Sequence, residues 1–147
     1  MAWTASGLYY LTFRDVLSNT TAAELDVTTG KIALYNNTIT PNFDTETAYA
    51  ATGEVSGTGY TATGQVVVNP VFSVTSGTLN YGLDNQVWAS PTTVTARGAK
   101  YYADAITTPV ADPLWCGINF GSDFTSTAGT FTIAWSGGLV FTWDLTP

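Results

Sequence analysis

The sequence predicts a mainly β chain, an antiparallel β-sandwich or barrel-like domain with one N-terminal helix. Three observations carry that expectation. β-branched and aromatic residues recur in short runs, and Gly, Pro, Asn and Ser separate the runs at the spacing of an all-β domain. Cys116 is the only cysteine, so packing and backbone pairing must hold the fold without an internal disulfide. One segment alone, near the N-terminus, carries an apolar stripe at helical spacing. The length of 147 residues suits a single domain over 1–147, in which 1–30 forms a helical segment and 31–147 the β domain. A domain of that length buries roughly 70% of the surface its unfolded chain exposes, enough for one real core.

The helix is predicted over 6–17. Tyr9, Phe13, Val16 and Leu17 fall at i, i+4, i+7 and i+8. Thr4 or Ser6 stands where a cap is wanted, and Asn19-Thr20-Thr21 closes the helix because such residues favour leaving it. Leu8, Tyr10 and Leu11 occupy the other face, so the helix is either buried on two sides or docked on another chain. Trp3, just ahead, joins whichever surface is used. The first strand is predicted over 31–36, and 44–51 reads as a short helical turn with Asp44 as cap and Tyr49 packed beneath. Beyond Gly53 the pattern is β, with strands near 65–68, 71–75, 78–83, 92–96, 100–102, 114–120, 129–135 and 139–144. Pro70 bends the run around it, since proline cannot donate to a ladder. Phe131, Ile133 and Trp135 alternate with Thr130, Thr132 and Ala134, which predicts one buried face. Ser136-Gly137-Gly138 then predicts a tight hairpin turning 129–135 back onto 139–144.

Charge narrows the function classes. The net charge is −7, and the basic residues are four: Arg14, Lys31, Arg97 and Lys100. A nucleic-acid binder neutralises phosphates with clustered Lys and Arg, and no cluster exists here, so neither nucleic acid nor an anionic membrane is expected as a partner. No apolar run approaches the roughly 20 residues of a spanning helix, and the N-terminus shows no basic n-region with a long apolar h-region. Asn19-Thr20-Thr21 and Asn36-Asn37-Thr38 match the glycosylation sequon as chance words of a Thr-rich chain. Only 10% of residues are charged, against about 25% in an average domain. Neutral Thr and Asn must cover the surface, and a surface so poor in charge is weakly protected against association. That hints that partners cover much of it.

Histidine is absent, which removes Ser-His-Asp and Cys-His arrangements. No enzyme activity is expected. Cys116 lies between apolar neighbours in Leu114-Trp115-Cys116-Gly117-Ile118 and reads as a buried strand cysteine. Zinc lacks ligands. Asn42, Asp44 and Glu46 alternate in a loop and Glu54 follows, so Asp44, Glu46 and Glu54 are the calcium candidates. No glutamate at a twelfth position completes a calcium loop, and the residues read better as a cap and solvated acids. No metal and no cofactor is expected. A glycosidase needs only two carboxylates, for which Glu46, Glu54 and Asp84 remain by elimination. Five tryptophans, Trp3, Trp88, Trp115, Trp135 and Trp143, could stack on sugars, although tryptophans in alternating strands more often fill a core. Gly53, Gly57, Gly59 and Gly64 lack the following helix and lysine of a phosphate loop. They read as structural, with Glu54 and Tyr60 anchoring the loop between them. Arg97 is expected to pair with a carboxylate, and a buried bidentate pair would fix the geometry of the neighbouring strand.

Lys31-Ile-Ala-Leu-Tyr35, Asp44-Thr-Glu-Thr-Ala-Tyr49, Glu54-Val-Ser-Gly-Thr-Gly-Tyr60, Thr95-Ala-Arg-Gly98, Ile118-Asn-Phe-Gly121 and Gly129-Thr-Phe-Thr-Ile133 occur in this order. In order and spacing, from about residue 30 to the end, the chain resembles a family of small structural proteins encoded beside the head genes of tailed bacteriophages and prophages. The resemblance transfers no catalytic residue. It implies a virion component made in the host cytoplasm, a minor capsid or decoration protein on the outer face of the head shell. Its partners would be the major capsid protein and copies of itself in a symmetric homo-oligomer. A tail or head–tail connector component and a carbohydrate-binding β-sandwich are the alternatives. Because aromatic residues dominate interface energetics, Trp3, Tyr9, Tyr10 and Phe13 are the candidate docking residues.

Overall fold

The computed structural model of the chain describes residues 2–26 and 28–146. Its elements run β1 (Gly7–Leu8), α1 (Tyr10–Leu17), β2 (Gly30–Tyr35), β3 (Gln65–Val66), β4 (Val71–Thr75), β5 (Thr78–Gly82), β6 (Gln86–Ala103), β7 (Leu114–Ile133) and β8 (Leu139–Asp144). They form two antiparallel sheets, a larger one in the order β1-β7-β6-β2-β3 and a smaller one in the order β4-β5-β8. The expected class is therefore observed: mainly β, two antiparallel sheets and one short helix near the N-terminus.

Strands β6 and β7 are the spine. Each fuses what the sequence breaks into two strands, because Arg97-Gly98 and the polar stretch after Phe120 interrupt the apolar alternation without ending the pairing. The ladder absorbs the interruptions as irregularities. Between Gly98↔Asn119 and Ala96↔Phe124 it advances two residues on β6 and five on β7. Bulges of this kind bend the pair and increase its twist.

The helix is shorter than expected. Gly7 and Leu8 pair with Gly117 and Cys116 of β7, and the Tyr9 N–H continues the pairing to the Trp115 carbonyl at 3.0 Å. These long-range bonds claim the residues that periodicity assigned to the first turn. No side chain caps α1, and Ser6 instead accepts a bond from the Asn119 N–H at 2.8 Å. The C-terminal end behaves as expected: the Ser18 N–H bonds Arg14 O, Asn19 adopts φ 56°, and Thr20 N–H returns to Asp15 O. At 44–51 the helical turn reduces to a turn around residues 43–45, capped by Asn42 and not by Asp44. The Asn42 Oδ1 accepts from Asp44 N–H at 3.0 Å and Thr45 N–H at 3.2 Å.

The predicted terminal hairpin is not formed. Ser136–Gly138 does turn the chain, with Gly137 and Gly138 at positive φ, but β8 pairs with β5, from Thr78↔Asp144 to Gly82↔Leu139. The turn moves the chain from one sheet to the other. Its anchors lie on the connection between β5 and β6: the Trp135 indole N–H donates to Asp84 O at 2.9 Å and the Leu83 N–H to Gly138 O at 3.1 Å.

The core lies on both faces of the larger sheet. Between the sheets are Ile32, Leu34, Tyr81, Trp88, Trp115, Phe131 and Ile133, with Phe13 and Val16 of α1 packed against them. Tyr81 and Tyr101 stack at 5.7 Å and share a buried hydroxyl–hydroxyl bond of 2.7 Å. Across the sheet, Trp3, Tyr9, Ala33, Tyr35, Tyr102 and Leu114 form a second cluster, flanked by Ile39, Phe43 and Tyr49. No second sheet covers this face; the loop 36–64 and the N-terminal segment do. Trp3 lies flat over Gly98, where an added Cβ would come within 2.8 Å of its ring.

Burial raises the phenol pKa of Tyr9, Tyr35, Tyr81, Tyr101 and Tyr102, that of Tyr101 to about 12. The folded values exceed the unfolded value of about 10, so the stability these phenols contribute is complete below about pH 10 and is lost as pH rises through the folded values. Each buried phenol steepens the loss by about 1.4 kcal/mol per pH unit. The urea midpoint should fall sharply between about pH 10 and about pH 12, with tyrosinate absorbance rising in step with unfolding. An unchanged midpoint over that range contradicts the burial described here.

Candidate functional site

Two carboxylates fasten the loop 36–64 to the second face of the larger sheet. Lys100 of β6 sits between the small cross-strand residues Ala33 and Gly117, which leave a pit above the sheet. Tyr9 and Tyr35 wall the pit, with the ammonium 5.9 Å and 5.0 Å from their ring centroids. Lys100 is 3% exposed, and its charge is met by Glu46 Oε2 at 2.6 Å, which also accepts the Tyr9 hydroxyl at 3.1 Å. A desolvated ammonium needs such a counter-charge, and the aromatic faces add cation–π attraction.

Glu54 holds the loop's other end. It accepts bonds from the hydroxyls of Tyr49 and Tyr60 and, at 2.7 Å, from the Thr63 N–H. Tyr60 in turn accepts the Leu34 N–H of β2 at 3.0 Å, and Tyr49 stacks on Tyr102 at 4.7 Å. The sequence expectation that Glu54 and Tyr60 anchor the glycine-rich loop is met. Two glycines there serve close approach: a Cβ at Gly57 would meet Thr93 O at 1.9 Å, and one at Gly64, φ 77°, would meet Ile32 O at 2.0 Å.

The calcium candidates do not converge. Glu46 and Glu54 are engaged as described, and Asp44 is exposed on its turn. Among the described residues, no three His, Cys, Asp or Glu side chains gather as a metal group. Asp84, the third carboxylate weighed for sugar hydrolysis, accepts the Asn69 amide at 2.6 Å. Arg97 meets a carboxylate as expected, the half-exposed Asp123 at 3.6 Å, but not as a buried bidentate pair; another of its nitrogens donates to the Trp3 carbonyl at 3.4 Å. The buried cation is Lys100, whose partner Glu46 is 31% exposed. Cys116 is sealed as expected, and burial pushes its thiol up to about 12. Trp3, Trp88 and Trp115 are core, which removes them from any row of sugar-stacking rings.

The four docking candidates divide. Trp3 and Tyr9 are buried in the chain's own core, at 1% and 0% exposure, and are corrected to structural residues. Tyr10 and Phe13 face a groove of about 400 Å³ between α1 and β8, shared with Leu8, Arg14, Leu17 and Trp143. Phe13 forms its floor, edge-on to Trp115, Phe141 and Trp143. Tyr10, Leu17 and Trp143 form an exposed rim, at 58%, 70% and 38%. Trp143 and the joining of the N-terminal helix to the C-terminal strand escaped the sequence, because the link depends on β8 crossing to the smaller sheet. No helix among the described residues is long and apolar enough to cross a membrane.

Glu46→Ala should destabilise the chain by about 3 kcal/mol in chemical denaturation, because it leaves the Lys100 ammonium buried without its counter-charge. Lys100→Met combined with Glu46→Gln should recover most of that loss. Equal losses from the single and double variants contradict a charge-pairing role. Comparison with protein-family models, curated proteins and solved structures yields no match to the chain.

Proposed function

We propose that this chain is a bacteriophage virion structural protein, a minor capsid or decoration protein that seats on the outer face of the head shell through the groove between α1 and β8. The observation that carries the reading is that groove. Large apolar side chains rarely stand together on the surface of a chain that works alone, and here Tyr10, Leu17 and Trp143 rim a cleft with an aromatic floor. Fully desolvated aromatic anchors are what give an interface its affinity. The ordered sequence words from Lys31 to Ile133 supply the virion setting, through their resemblance to small structural proteins encoded beside phage head genes. A charge of −7 would discourage contact with packaged DNA.

The carboxylates also suit a passive role. Glu46 and Glu54 are consumed in tying a loop to a sheet. A tail or head–tail connector position would use the same groove, and the particle substructure on which the chain is found separates the two. The carbohydrate-binding alternative keeps only Trp135 and Trp143 outside the core.

Purified particles should contain the chain at many copies by quantitative mass spectrometry. Tyr10→Ser with Leu17→Asp should leave the circular dichroism and melting of the isolated chain unchanged and remove it from particles. Particles without the wild-type chain overturn the proposal, as does a doubly substituted chain incorporated at the wild-type level.

A further inference from the structure

We infer that the free edge of β4 pairs with β4 of a second copy across a two-fold axis, making one six-stranded sheet from two three-stranded ones. The strand is the edge of the order β4-β5-β8, and all five of its residues are exposed, Val71, Phe72 and Val74 at 56%, 45% and 66%. The β4–β5 turn fixes which backbone groups look outward. Ser76 and Gly77, at φ 49° and 80°, make the two-residue type I′ turn of a tight hairpin, so Thr75 and Thr78 exchange both their bonds. Alternation along the ladder then directs the N–H and C=O of Ser73 and Val71 toward β5, and those of Phe72 and Val74 toward the open edge. No bond to these outward groups occurs among the described residues.

Natural sheets blunt such edges with charges, prolines or bulges. This one carries none of these. Pro70 precedes the strand, the β4–β5 register is regular from Val71↔Gly82 to Thr75↔Thr78, and no charged residue occurs from Val55 to Leu83. That stretch selects the occupant. The eleven acids of a −7 chain repel their counterparts wherever two copies bring them together, and an isologous contact sets each surface against its own likeness. Self-association is cheapest where the chain bears no charge, while an acidic or basic partner strand would find nothing to pair with.

One register satisfies both outward residues. With Ser73 opposite Ser73 of the second copy, Phe72 lies opposite Val74 at each of two places, and each pair exchanges both of its backbone bonds. Other registers set Phe72 or Val74 against itself and leave Pro70 or the turn facing the remaining residue. The chosen register also makes two aromatic–β-branched pairs, a favourable cross-strand combination. Phe72 lies edge-on to Tyr81 at 6.4 Å, on the core side of the smaller sheet. The pairing therefore extends the core past an edge that the larger sheet does not cover.

This deepens and rests on the structural reading above by naming one partner, and it fails separately from that reading. Ser73 meets its counterpart as a non-hydrogen-bonded pair, with Cα atoms about 4.5 Å apart, within the roughly 4.4–6.8 Å that a disulfide spans. Sedimentation equilibrium of the full chain should give twice 15.6 kDa. Ser73→Cys should form a covalent dimer under mild oxidation, and Thr107→Cys, exposed on a distant loop, should not. Ser73→Lys should return the mass to one chain with the melting temperature unchanged, since like charges then face each other across the axis. A single-chain mass at every concentration overturns the inference, as does association that survives Ser73→Lys, or open-ended growth in mass. Chains that are monomeric yet present on particles sink this edge pairing alone; dimers absent from particles sink the virion reading alone.

Discussion

The larger sheet has apolar residues on both faces, and only one face meets another sheet. Everything distinctive about the chain answers that constraint. The second face is closed by irregular backbone, which cannot satisfy its own polar groups as a strand does. The loop 36–64 must therefore be tied by side chains. Glu54 gathers two phenols and a backbone N–H, Tyr35 donates to Ala50 O at 2.7 Å, and Tyr102 donates to Thr63 O at 2.7 Å. The buried Lys100 and the partly exposed Glu46 supply the strongly charged tie, where the loop and the N-terminal segment meet over β6. Tyrosine is the common material because it fills apolar volume and ends in a hydroxyl that can reach a backbone or carboxylate acceptor.

The first face is closed more conventionally, yet the smaller sheet is too small to finish the task. It covers Tyr101, Trp88 and Phe131 through Tyr81 and Phe141, while every residue of β4 at its edge is exposed. Helix α1 fills the gap beside β8 with Phe13 and leaves Tyr10 and Leu17 outside. Part of the exposed apolar surface is thus the unfinished margin of the sandwich, at the α1–β8 groove and the β4 edge. A chain with 10% charged residues has little means of masking either.

Much of the fold was legible from residues acting locally. The runs at 31–36, 71–75 and 78–83 became strands with nearly their expected bounds, because β-branched residues and short Gly- or Pro-marked turns act within a few positions. The tie between Glu54 and Tyr60 is equally local. What failed was long-range. Gly7-Leu8 left the helix for a strand more than a hundred residues away, and β8 chose β5 over its neighbour, because turn chemistry at Ser136–Gly138 fixes a reversal but not the edge it delivers the chain to. Trp3 and Tyr9 had the composition of interface anchors; the glycine floor at Gly98 and Gly117 makes room for Trp3, and Glu46 and Phe43 receive Tyr9. Lys100 carried one visible sign, a lone charge in the otherwise uncharged run Gly98-Ala99-Lys100-Tyr101-Tyr102-Ala103. Its counter-ion, 54 positions away, carried none.

The hydroxyl bond between Tyr81 and Tyr101 joins the two layers at a point sealed from solvent. If one layer were displaced sideways over the other, no water would be at hand to replace the broken bond. The stacked rings, 10° from parallel, would lose their contact in the same displacement. The layers therefore resist shear as a unit, and a pull on the outer layer is handed on to the long β6–β7 ladder instead of peeling the layer away.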